Sequence, residues 1–153
     1  LVDPRGIILT AERGVADARA VGVQVGRTKV PALVLAADAQ RGVAVLHVDA
    51  SALPGVQPAT FDCAQPTPLA PGDRVATLGV PLRGPTTLDD GQVDRDAAGA
   101  LVAEMTIAPG GVGGPLFAAA GALAGMTAPL DTDAGRQRRR VRVVPIEAAC
   151  AVL

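Results

Sequence analysis

The chain has 153 residues, enough for one domain with a sizeable core, and 49% of them are hydrophobic, too many for a disordered segment. A formal net charge of −1, from 14 basic and 15 acidic side chains, gives no global attraction to nucleic acid or to an anionic membrane. No window carries the roughly 18 consecutive apolar residues of a spanning helix, and no basic-then-apolar signal peptide opens the chain.

Only two residues are aromatic, both Phe, so the core must be built from Val, Leu, Ile and Ala. Short runs of these residues predict strands at 6–10, 20–25, 32–36, 43–48, 74–79, 92–94, 101–107, 116–117, 122–127 and 141–144. Gly, Pro and Asp turns separate them, and 18 Gly with 13 Pro in no repeat period suit a turn-rich all-β chain. Runs such as Ala32-Leu33-Val34-Leu35 lack clean alternation, as strands covered on both faces do. The proline-rich segment 51–71 predicts a linker with a boundary near Leu69. After Pro145 the chain predicts a short helix whose buried stripe is Ile146, Ala149, Cys150 and Leu153.

Five segments carry more than strand pattern. They are Gly6-Ile7-Ile8-Leu9-Thr10-Ala11-Glu12-Arg13-Gly14-Val15; Arg41-Gly42-Val43-Ala44-Val45-Leu46-His47-Val48; and Leu69-Ala70-Pro71-Gly72-Asp73-Arg74-Val75-Ala76-Thr77-Leu78-Gly79-Val80-Pro81. The last two are Pro109-Gly110-Gly111-Val112-Gly113-Gly114-Pro115-Leu116-Phe117 and Val143-Val144-Pro145-Ile146. In this order and spacing they resemble the landmarks of the trypsin-like serine proteases, in particular the bacterial HtrA-like branch. The resemblance implies two antiparallel Greek-key β-barrels with a short C-terminal helix. Residues 1–68 would form the N-terminal barrel and linker, with a first strand missing upstream, and 69–153 the C-terminal barrel and helix. Together they would make one trypsin-like unit.

By the same resemblance Arg13 stands where the family has its histidine base, Gly42 where it has the orienting aspartate, and Val112 where it has the serine of Gly-x-Ser-Gly-Gly-Pro-Leu. Such catalysis needs a hydroxyl, an imidazole and a carboxylate in one place. A valine has no atom to attack a carbonyl, a guanidinium stays protonated, and glycine has no side chain. The only histidine, His47, lies five residues beyond Gly42 on one strand, and is read as a solvated strand residue. The reading is a pseudoprotease: no enzyme, no catalytic residue, no cofactor, and a role in peptide or protein binding or scaffolding. One alternative is a hydrolase with a nonstandard or partner-supplied site.

The family's oxyanion hole uses two backbone N–H groups, here those of Gly110 and Val112, and backbone donors survive loss of the serine. Equally, Gly111 in place of the usual Asn or Asp lets the loop collapse. A second alternative is anion or nucleic-acid binding through Arg136, Arg138, Arg139, Arg140 and Arg142, set against a solvated turn and the wet face of an edge strand. No nucleic-acid partner is expected, because interleaved aromatics are absent. Asp89, Asp90, Asp94 and Asp96 lack the Gly and distal Glu of a calcium loop and are read as a solvated turn. One His and two distant Cys do not make a zinc site, so no metal is expected. The resemblance brings the terminal helix near the linker, which leaves two alternatives for Cys63 and Cys150: a disulfide, or two free buried thiols, the latter slightly preferred. It also implies a protein on the extracytoplasmic side of a membrane, periplasmic or secreted, that forms oligomers.

Overall fold

The computed structural model describes residues 1–80, 85–107, 111–130 and 140–153. Their strands are β1 Ile7–Ala11, β2 Val21–Val25, β3 Thr28–Asp38, β4 Val43–His47, β5 Arg74–Gly79, β6 Thr87–Arg95, β7 Leu101–Glu104, β8 Pro115–Ala118, β9 Leu123–Ala128 and β10 Arg140–Pro145. A single short helix, α1 Ile146–Cys150, follows. Every strand overlaps a predicted one, because Val and Leu runs bounded by Gly and Pro mark both the strand and its ends.

Two strands run well beyond their predicted ranges. β3 reaches back to Thr28, since the β2–β3 hairpin holds pairing as far as Val25 opposite Thr28. β6 takes in Asp89, Asp90 and Gly91, which corrects the reading of these aspartates as a turn. Here Thr87 Oγ1 donates to Asp89 Oδ2 at 3.1 Å, and Asp90 lies 3.6 Å from Arg74 on β5. Gly91 is needed because a Cβ there would stand 2.3 Å from the Glu104 carbonyl oxygen. Its hydrogen lets β6 cross close against the end of β7.

All pairings are antiparallel and form two sheets, the first ordered β1-β4-β3-β2 and the second a closed barrel, β10-β7-β6-β5-β8-β9. Within the ring, β7-β10-β9-β8 repeats the order of the first sheet. Equivalent connections therefore emerge on equivalent sides: β1–β2 matches β7–β8, and β3–β4 matches β9–β10. β10 is flanked by β7 and β9, so it is not the edge strand that the Arg140, Arg142 alternation suggested.

Three packed regions hold the chain together. Val75, Val93, Ala103, Leu116, Val141 and Val143 fill the closed barrel. Ala11 and Val43 of the first sheet meet Leu123, Met126, Val144 and Ile146 in a core between the two sheets. The inner face of the first sheet carries smaller clusters, Val15 with Ala44 and Leu46, and Val30 with Val48 and Leu53. β4 is buried from Val43 through Leu46 because its alternate residues serve different cores. The run 32–35 in β3, read from sequence as covered on both faces, is not: Leu33, Val34 and Leu35 are exposed, which corrects that reading.

The terminal helix seats Ile146 and Ala149 in the central core, whereas Leu153 is 56% exposed. α1 ends at Cys150, so the predicted stripe stops short of its fourth member. Cys150 is bonded to Cys63 across a sequence separation of 87, which corrects the preference for free thiols. Among the described residues no helix is long and apolar enough to cross a membrane, which leaves strand-built membrane proteins unaddressed.

Candidate functional site

The sequence-predicted positions Arg13, Gly42 and Val112 lie in connections that the repeated strand order brings to one place. β1 ends at buried Ala11 and passes into a 3₁₀ turn, Glu12–Gly14, that carries an exposed Arg13. The Glu12 N–H donates to the Gly42 carbonyl at 3.0 Å and ties this turn to the β3–β4 connection. A cavity of about 20 Å³, room for roughly one water, is lined by Arg13, Gly42, Ala128 and Arg142.

Gly42 closes a turn in which its N–H donates to the Asp38 carbonyl at 2.8 Å. The Asp38 carboxylate accepts from the Arg41 N–H at 2.9 Å and from Arg41 Nη1 at 2.6 Å. These bonds from Arg41, the backbone one foremost, hold the Asp38 carboxyl below its ordinary range. Gly42 has φ +73°, a left-handed conformation that L side chains rarely adopt.

The Val112 loop is built on hydrogen bonds to β9. The Gly113 N–H donates to the Thr127 carbonyl at 2.8 Å, and the Thr127 N–H to the Gly114 carbonyl at 3.0 Å. Thr127 Oγ1 donates to the Gly111 carbonyl at 2.9 Å, and Thr77 Oγ1, from β5, to the Pro115 carbonyl at 2.6 Å. Both threonines are fully buried, and each hydroxyl finds its partner in a carbonyl of this loop. Gly113, at φ +86°, passes so close to β1 that a Cβ would stand 2.8 Å from Thr10 Oγ1. Val112 is half-buried and packs against both the central core and the barrel core. Its N–H donates to none of the described carbonyls. Gly110, the second predicted donor of the oxyanion pair, lies outside the described residues.

Sequence reasoning missed Thr77 and Thr127. The signal was a lone hydroxyl at a core-facing position of an apolar strand, in Val75-Ala76-Thr77-Leu78 and Gly125-Met126-Thr127-Ala128. Thr127→Val keeps the shape and leaves the Gly111 carbonyl only the Gly114 N–H, at 3.2 Å, as donor, so it is expected to destabilise by about 0.5–1.5 kcal/mol. Urea unfolding measures this, and a change below about 0.5 kcal/mol would show that the hydroxyl does not hold the loop.

The remaining candidates lie elsewhere. His47 is half-buried at the far end of β4, roughly 16 Å from Gly42 at strand rise. Arg140 stands near two carboxylates, 3.7 Å from both Asp94 and Glu104, in ion pairs open to solvent. Arg142 is half-buried at the small cavity. Arg136, Arg138 and Arg139 lie outside the described residues.

The sequence model of the trypsin-like peptidase domain matches residues 1–126. Among solved structures, the serine endoprotease from Yersinia pestis is similar at 24% identity and a TM-score of 0.72, over 99% of this chain and 53% of that one. The HtrA-type protease AlgW, solved with a decapeptide, is similar at 23% identity and a TM-score of 0.74, over 97% of this chain and 47% of that one. The chain thus spans about half the length of these structures, and at such identity the likeness is one of fold. No curated protein matches the sequence.

Proposed function

We propose that this chain, which belongs to the trypsin-like peptidase domain family, has given up catalysis and acts by binding a peptide or protein segment. The observation that carries this is Val112: at the position matching the family's serine it presents an isopropyl group packed into two cores. Neither companion position supplies a base or an orienting carboxylate, since Arg13 is a cation and Gly42 a bare backbone turn. A serine-protease mechanism has no nucleophile and no proton acceptor here.

Binding draws on what remains. The loop around Val112 is held in a fixed turn by Thr77 and Thr127, and the HtrA-type neighbour was solved with a decapeptide. The partner proposed for the surface of this loop is an extended peptide. By the same likeness the natural setting is extracytoplasmic. Incubation with unfolded casein is expected to leave the casein intact while perturbing the backbone resonances of residues 111–114. Casein cleavage that copurifies with this chain would overturn the reading; an intact substrate with no perturbation at residues 111–114 would remove its binding half.

The rival anion-binding reading loses support at Arg140, which is paired with Asp94 and Glu104.

A further inference from the structure

Arg140 and Arg142 project from the same side of β10, two residues apart, and meet different surroundings. Arg140 lies 3.7 Å from both Asp94 and Glu104. Arg142 stands between Val102 and Ala128, its paired neighbours on β7 and β9, which are both buried, and it is itself half-buried. Among the described residues no carboxylate forms an ion pair with its guanidinium and no acceptor takes a hydrogen bond from it. A cation drawn partly out of water without such a partner is unfavourable, and an anion that meets it is bound the more strongly for it.

The side chain of Arg142 lines the small cavity of about 20 Å³ beside Gly42. Arg13 lines it too, and Glu12 is its one acid, so two cations and one anion leave a surplus of one positive charge. The remaining walls are alanine, glycine and proline, which offer no polar side chain. At Gly42 the wall is bare: a Cβ built there would meet only Cγ2 of Val144, at 3.5 Å, an ordinary contact. The position that matches the family's aspartate thus brings no carboxylate to a cavity that carries two guanidinium groups.

We propose that Arg142, with Arg13 on the same cavity, receives a carboxylate supplied by the partner, either an acidic side chain or the free C-terminus of an extended peptide. Room for roughly one water is room for one carboxylate oxygen, and the planar fork of a guanidinium matches the carboxylate that carries it. The identity of the partner rests on the peptide reading given above. The carboxylate site rests on Arg142 and the cavity.

Two titrations, both followed at the Arg142 Nε–H resonance, test the site and the partner separately. The first uses acetate, with acetamide as its neutral control; acetate is expected to shift the resonance saturably and acetamide to leave it in place. The second uses three acetylated decapeptides of Ala, Ser and Val that differ at one group: a central Glu with an amidated end, a central Gln with an amidated end, and a central Gln with a free terminal carboxylate. At least one carboxylate peptide is expected to bind ~10-fold or more tightly than the neutral one, and which of them does so identifies the source. Arg142→Gln is expected to abolish that preference, and Arg142→Lys, which keeps the charge without the fork, to retain part of it. Equal binding of the three peptides overturns the proposal and leaves the peptide reading standing. Saturation by acetate with no peptide bound supports the carboxylate site and removes the peptide reading. Equal shifts with acetate and acetamide overturn the site, as does a preference that survives in Arg142→Gln.

Discussion

Val112→Ser alone is expected to create no protease. The position matching the family's base is held by Arg13, which takes no proton, and the groups of a triad act as a unit, so single additions are nearly silent. The triple replacement Arg13→His, Gly42→Asp and Val112→Ser is expected to fail as well. Gly42 sits at φ +73°, where a side chain costs about 1–2 kcal/mol. Its carbonyl is also committed to Glu12 and its N–H to Asp38. A carboxylate grafted there starts from a backbone set for another turn. Whatever rate a bare oxyanion pair allows is about 10³–10⁴-fold over water, far below a working enzyme. Labelling by a fluorophosphonate probe tests both variants. Labelling of the single variant at protease-like speed would mean that a base is present which the described residues do not reveal.

Loss of the Cys63–Cys150 bond is expected to have the largest effect on stability. It closes a loop spanning 87 residues and ties the strandless linker to the helix that plugs the central core. Constraint of so long a loop in the unfolded chain is worth about 2–4 kcal/mol. Urea unfolding with and without dithiothreitol, and of the Cys63→Ser, Cys150→Ser double variant, measures it. A shift below about 0.5 kcal/mol would assign the fold's stability to packing alone.

Strand positions were legible because this chain punctuates apolar runs with Gly and Pro, and the family because five motifs kept their order. Asp89-Asp90-Gly91 was misread because a polar pair before glycine signals a turn, while in β6 the glycine makes room for β7. The pairing of Cys63 with Cys150, the exposure of Leu153 and the interior placing of β10 depend on distant neighbours, which local pattern does not encode. The buried threonines under the Val112 loop were visible only as isolated hydroxyls among aliphatic residues. Nothing in composition distinguished them from strand formers.

β9 is buried at each of its six positions, and it is the strand to which the Val112 loop is hydrogen-bonded. A segment embedded on all sides leaves its attached loop little freedom to lose. A ligand meeting that loop therefore finds its receptor shaped in advance, and the ordering cost of association falls on the ligand. For the peptide binding proposed above, stiffening the peptide by cyclisation or a well-placed proline is then expected to tighten binding more than remodelling the protein.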